Sequence, residues 1–517
     1  MSPTAVERAC AHIEPAPATY ARRRPDKTVL YGLVREHAET LFAEARDRSD
    51  SGYGYPVHVE NEFRRYVECG ILSHGFLRVH CAGCGRDELV AFSCKARAVC
   101  PSCVGRRMSE TAARLVDEKL PHAPYRQWVF SFPRRIRVAL AKDTQLLSEV
   151  LRACMRKVFA YQRKKARALG LSGAKTFAVC FVQRFGSLLQ MNPHAHAVLP
   201  DGVLVRDEAS ALTLHELSAP TTEEVEAVAL SVVKAVLRVL ERAAERADDD
   251  DEPAMTAALA QAVASGSAAS QAPAGERSGR RATRRAAMVQ TALGMFCVHA
   301  DTSVAADNRR GLERLLRYCA RPALAQKRLS RTASGKVRYT LRKPYYTGQT
   351  EVVLEPVAFL RRLAAWIPPV RQNQVRYYGA LASQSNDREA LQHLVSPPVP
   401  GSAPEPVGRS AQARDEASDP EAHRSRRSYR RSWARLLRRV FAIEILICPH
   451  CHGERTIISA ITQADTVAHI LTHLGLPTDT SELAHARAPP QVDMFRADDF
   501  DMFRADDWPA PSHDRLA

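Results

Sequence analysis

Two kinds of residue pair in this chain stand at metal-ligand spacing. In HCAGCGRDELVAFSCKARAVCPSC, Cys81-x-x-Cys84 and Cys100-x-x-Cys103 are separated by fifteen residues. Each C-x-x-C turn can offer two sulfurs to one ion, and Gly85 and Pro101 favour tight turns, so the pattern predicts a tetrahedral, structural Zn²⁺ site. Cys94 could replace one of the four, as could His80 or His74. A second pair, Cys448 and Cys451 in CPHCHG, stands alone. It is half of a second zinc site if two of His450, His452, His469 and His473 complete it, and otherwise a turn with two thiols. The other pair is His194 and His196, in MNPHAHAVLPDGV. In a strand, residues two apart point to the same face, so two imidazoles would stand side by side, as two ligands of a divalent ion do. The same spacing also arises by chance in long chains.

The surrounding stretches are read for elements that could hold these groups. WVFSFP (128–133), TFAVCFVQRFG (176–186) and HAHAVLPDGV (194–203) carry the aromatic and β-branched residues of strands. Helical spacing of apolar residues predicts two helices over 27–69, one over 105–119 with Ser109 as a possible cap, and a basic one over 144–168. Thr221 with Glu224 forms a capping box ahead of VEAVALSVVKAVLRVLERAAER. A further helix is predicted at 308–320, and a hairpin about TGQT within 336–356.

With 74 Lys and Arg against 57 Asp and Glu, the net charge is +17, and most of the excess is arginine, whose planar fork suits phosphate. A polyanion partner follows, nucleic acid being the commonest. No window approaches the roughly 18 uncharged apolar residues of a membrane span, and no apolar signal segment opens the chain, so a cytoplasmic location is expected. Thirteen cysteines in such a chain should be thiols or metal ligands.

Taking about 100° per residue along 308–320, Leu312, Leu315, Leu316 and Cys319 share an apolar face, and Arg310, Arg314, Arg317 and Arg321 gather nearly opposite. Tyr318 falls at the boundary. Its ring could be packed with its oxygen beside a phosphate-binding surface, although a border tyrosine that merely reaches solvent is the commoner case.

Three stretches carry a resemblance. HAH preceded by QRFGSLLQMNP and followed by DGV looks like the metal-binding motif of rolling-circle (HUH) tyrosine transposases. FSCKARAVCPSCVGRRM resembles the N-terminal zinc-binding domain of the same bacterial insertion-sequence family, and GLERLLRYCARPALAQKRL (311–329) is similar to its nucleophile helix. The resemblance implies Mg²⁺ or Mn²⁺ on His194, His196 and a third ligand not identified. It also implies attack by Tyr318 on single-stranded DNA at transposon ends, a 5′-phosphotyrosine link with a free 3′-OH, and rejoining without ATP. The absence of any G-x-x-x-x-G-K-[ST] fits that. Where some relatives have a second tyrosine, one turn earlier, this chain has Arg314, so it resembles the single-tyrosine branch. A replication initiator or relaxase with the same nick, or a non-catalytic zinc-dependent DNA-binding regulator, are the alternatives.

These readings give an α+β fold: a central antiparallel sheet, HUH endonuclease-like, with flanking helices. The expected divisions are an N-terminal helical region (1–66), a zinc-binding domain (67–120), and a catalytic domain (121–395) with an insertion at about 205–290. A linker (396–432), a small C-terminal C-x-x-C module (433–477) and an acidic tail (478–517) with a short duplication complete the chain. Single-stranded DNA needs cations for phosphates and aromatics for bases. RRSYRRSWARLLRR (426–439), with Arg427, Arg430 and Arg431, interleaves both.

Overall fold

The computed structural model describes residues 23–49, 52–208, 210–246, 270–271, 285–345, 347–395, 446–480 and 482–487. The linker, the segment with Arg427, Arg430 and Arg431, and the duplicated tail lie outside the described residues. In chain order, the elements used below begin with helices α1 (Val29–Asp47) and α2 (Val57–Glu68), strands β1 (Phe76–Cys81) and β2 (Asp87–Ala91), helix α3 (Pro101–Glu118) and strand β3 (Tyr125–Ser131). Helices α4 (Arg134–Lys142) and α5 (Thr144–Ala168), strands β4 (Phe177–Phe185) and β5 (Met191–Pro200), and helix α6 (Thr222–Arg246) follow. The rest are strands β6 (Ala286–Thr291) and β7 (Gly294–His299), helix α7 (Arg309–Cys319), strands β8 (Val375–Gly379) and β9 (Arg455–Ile461), and helix α8 (Ala464–His473). The fold is mixed α/β, and every strand ladder among the described residues is antiparallel.

The chain divides into two compact units. The larger takes Thr28–Val67, Lys95–Val399 and the described residues after 481. Its main sheet runs β8-β4-β5-β3-β7-β6, with Ser270–Gln271 at the far edge. β4 is buried along nearly its whole length, as its unbroken apolar run demands when both faces are covered. On one face, Trp128, Phe130, Ala195 and Ala197 pack into a core with α4, α5 and α6. On the other, Tyr125, Val179, Phe181 and Val198 pack against α3 and α7. Strand alternation sends Ala195 and Ala197 to the first face and therefore His194 and His196 to the second.

The capping box forms as read: Thr221 N–H donates to Glu224 Oε2 at 2.8 Å and Glu224 N–H to Thr221 Oγ1 at 3.2 Å. Behind it, α6 buries Val225, Val228, Val232, Val233, Val236 and Val239. Residues 202–246 thus belong to the framework, although most of them fall within the span of about 205–290 read as an insertion: a hairpin, Gly202–Arg206 with Leu212–Glu216, leads into α6. Asp201, in the turn after β5, accepts two bonds from the guanidinium of buried Arg126 on β3, Nε at 3.0 Å and Nη2 at 2.7 Å, while Arg126 Nη1 donates to Ala300 O at 2.8 Å.

Helix α3 starts at Pro101, earlier than the spacing predicts, because proline suits the first helical position. Ser109 is consequently buried mid-helix and caps nothing.

The smaller unit takes Glu68–Cys94 with the described residues of Met1–Lys27 and Pro400–Ser481. It is a three-stranded sheet, β9-β1-β2, with a core cluster of Leu72, Phe76, Val467 and Leu471, α8 supplying the last two. Among the described residues, no helix is long and apolar enough to cross a membrane.

Candidate active site

His194 and His196 lie side by side on the α7 face of β5, ring centroids 4.9 Å apart. Cross-strand register surrounds them with polar groups: Gln183 on β4 and Ser131 on β3 stand opposite His194, and Val129, two residues from Gln127, stands opposite His196. Antiparallel partners share a face, so Gln127, Ser131 and Gln183 all join the histidines. His194 Nδ1–H donates to Asn192 O at 2.7 Å, which leaves Nε2 as the lone-pair nitrogen. The side-chain amide of Gln127 meets His196 Nδ1 at 2.8 Å. His196 Nε2, Gln183 Oε1 and Ser131 Oγ are buried with no hydrogen-bond partner among the described residues. Burying several polar atoms without partners costs about 1–3 kcal/mol each, so their convergence beside the imidazoles marks a place built for something else to bind.

Both imidazoles are held neutral. Burial pushes His194 down to about 4, with the Arg321 and Arg137 guanidinium groups acting in the same direction. Burial likewise takes His196 well below the ordinary range, His194 and Arg321 adding to it. Neutral imidazole is the ligating form.

Helix α7 presents Tyr318 to this pair. Asn308 caps the helix, its Oδ1 accepting from Gly311 N–H at 2.7 Å, and Leu312, Leu315, Leu316 and Cys319 are buried against the sheet as the helical spacing predicts. Gln183 Nε2 donates to the carbonyls of Tyr318 at 3.2 Å and Cys319 at 2.7 Å, tying the helix end to β4. The Tyr318 ring comes to 5.8 Å from the His196 ring, edge to face, yet the residue stays 39% exposed. One side of the phenol is therefore packed and the other open.

Of the four arginines assigned to one helix face, Arg310 and Arg314 are exposed and Arg317 is half-buried. Arg321 departs from that face because α7 ends at Cys319: its guanidinium folds back over the rings of Tyr318, at 5.0 Å, and Phe185, at 5.4 Å. Beside it opens a cleft of about 330 Å³ lined in part by Arg97, Arg107, Arg184, Phe185, Arg321 and Trp366. Arginines and aromatics in one cleft are the pairing that single-stranded nucleic acid requires.

Residues 178–388, which hold the histidine pair and Tyr318, match a transposase family model, and residues 36–132 match a family model described as a transposase zinc-binding domain. The chain is an insertion-sequence transposase with an N-terminal zinc-binding domain. No curated protein and no solved structure matches it. A transposase acts on DNA, which accounts for the arginine excess.

The transposase groups its cysteines differently from the spacing argument. Cys81 and Cys84 face Cys448 and Cys451, not Cys100 and Cys103. The reason is local: Cys100-Pro-Ser-Cys103 opens α3 as a helical turn, whereas Cys81-x-x-Cys84 turns between β1 and β2, and β9 pairs with β1 just after Cys451. Cys94 is no substitute for one of the first four; its N–H donates to Cys69 Sγ at 3.3 Å. Sequence reasoning passed over Cys69, as it did Gln127 and Gln183. The signal for the glutamines was present: each stands beside an arginine inside an otherwise apolar strand, in YRQWVF and CFVQRF.

Proposed function

We propose that this transposase nicks and rejoins single-stranded DNA at transposon ends, with Tyr318 as nucleophile in an HUH endonuclease-like centre. The observation that carries the reading is the half-exposed Tyr318 ring 5.8 Å from an imidazole whose neighbour on the same face is a second imidazole. A divalent ion fits the donor set: His194 Nε2, the His196 imidazole and Gln183 Oε1 would hold Mg²⁺ or Mn²⁺, with Gln127 Nε2, 2.8 Å from His196 Nδ1, fixing the orientation of that ring. When bound, the ion supplies polarisation of the scissile phosphate. Arg321 and the arginines of the cleft hold the DNA backbone, and Phe185 and Trp366 offer faces for bases.

The Tyr318 oxygen, having lost its proton, attacks the phosphorus in line. The bond to the 3′ oxygen breaks, that oxygen takes up a proton, and the 5′ phosphate stays on the tyrosine. The phosphodiester bond is exchanged for a phosphotyrosine bond, so a later 3′-OH can reverse the step without ATP. Arg314, exposed one turn earlier, occupies the position of a second tyrosine, which supports the single-tyrosine branch. An initiator or relaxase would make the same nick; the two transposase family matches favour transposon ends.

The test is a labelled single-stranded transposon end incubated with Mn²⁺ and resolved on a denaturing gel. The native chain forms a covalent adduct, and Tyr318→Phe lowers it by at least about 10³-fold, more than about 4 kcal/mol of barrier, while binding the oligonucleotide equally well. An adduct of full yield on the Phe variant moves the nucleophile elsewhere.

A further inference from the structure

The transposase zinc-binding match ends at residue 132, yet two of the cysteines within it are completed from the other end of the chain. Cys84 Sγ lies 3.6 Å from Cys448 Sγ, across 364 residues of sequence, and Cys81 Sγ lies 3.4 Å from Cys451 Sγ. All four sulfurs are within 4.8 Å of one another. The separations are far beyond the roughly 2.05 Å of a disulfide and close to the roughly 3.8 Å edge of a tetrahedron with Zn–S bonds of about 2.3 Å.

The two C-x-x-C turns are built alike. Cys81 N–H donates to Arg86 O at 2.9 Å and Cys448 N–H to Gly453 O at 2.9 Å, the same five-residue closure. Gly85 N–H donates to Cys81 O at 2.8 Å and His452 N–H to Cys448 O at 2.9 Å. In both, the residue after the second cysteine takes the left-handed conformation, φ +71° at Gly85 and +57° at His452. That conformation is free for glycine and unusual for histidine, so the second turn keeps the shape of the first at some local cost. Two matched turns facing each other at the end of a three-stranded sheet present four thiolates and no open position. We infer that Cys81, Cys84, Cys448 and Cys451 bind one structural zinc ion, which fastens the C-terminal segment to the N-terminal zinc-binding region. Four sulfurs in tetrahedral arrangement select zinc over the oxygen-seeking Mg²⁺ or Mn²⁺. None of the four histidines near Cys448 is needed as a ligand. β9 extends the attachment, pairing with β1 from Cys81↔Arg455 to Phe76↔Ile461.

Zinc counted per chain in the purified full-length protein tests the assignment. Cys448→Ser with Cys451→Ser loses one equivalent, Cys81→Ser with Cys84→Ser loses one, and the fourfold variant loses that same single equivalent. Full zinc in the first variant, or two equivalents lost from the fourfold one, overturns the shared site. A measurement on the native chain covers the case in which a variant fails to fold. Under graded chelation, thiol alkylation mapped by mass spectrometry proceeds at Cys81, Cys84, Cys448 and Cys451 in step. Alkylation of Cys448 and Cys451 while Cys81 and Cys84 remain protected overturns it, as does zinc-free protein carrying Cys81–Cys451 and Cys84–Cys448 disulfides after purification under reductant.

Discussion

The large sheet and the small three-stranded sheet are both antiparallel, and they are stabilised by different means. The large one has helices on both faces, and α6 alone commits six valines to its core. The small one centres on a cluster of four buried apolar side chains, two of them from its helix α8. At about 1.5–3 kcal/mol per buried large side chain, a core this small offsets little of the ordering entropy of its unit, so a cross-link matters more to the small unit than to the large one. The difference also divides the labour. The apolar sheet can carry unsatisfied polar atoms at His196, Gln183 and Ser131 because its core tolerates the cost, whereas the cysteine unit uses its polar groups to exist.

Chelation should separate the two most sharply. Structural zinc contributes on the order of 10 kcal/mol, so a strong chelator should make 446–473 susceptible to protease and leave the α5–α6 region protected in hydrogen exchange. Loss of protection in both regions together would remove the contrast. Next in size is Asp201→Ala, which strands the buried Arg126 guanidinium and should cost the large sheet about 3–5 kcal/mol by denaturant titration, with zinc content unchanged. Gln127→Met removes the partner of His196 Nδ1 and should weaken Mn²⁺ affinity about 10–100-fold by calorimetry, with little change in melting temperature. The smallest effect is Thr221→Ala, which opens the capping box and should cost about 1 kcal/mol.

Legibility followed the range of the interactions. The Thr221–Glu224 box and the buried stripe of α7 were readable because each depends on residues three or four apart. The facing of His194 and His196 was readable because strands alternate. The helix read over 105–119, with Ser109 as a possible cap, begins at Pro101, the stronger start signal. The span about 205–290 read as an insertion by composition, yet its first part supplies α6, whose valines belong to the main core. The cysteine grouping was misjudged because regular C-x-x-C spacing identifies thiolate turns without saying which turns share an ion.

The sequence by itself determined the thiolate turns, the paired imidazoles, the amphipathic tyrosine helix and the positive charge, all of them consequences of residue type and short-range period. Only the tertiary structure decided that Gln127 and Gln183 join the histidines, that Arg321 folds back on Tyr318, and that Cys448 and Cys451 complete Cys81 and Cys84. Cross-strand register and the burial of whole faces select those partners, and neither is encoded within any one stretch of the chain.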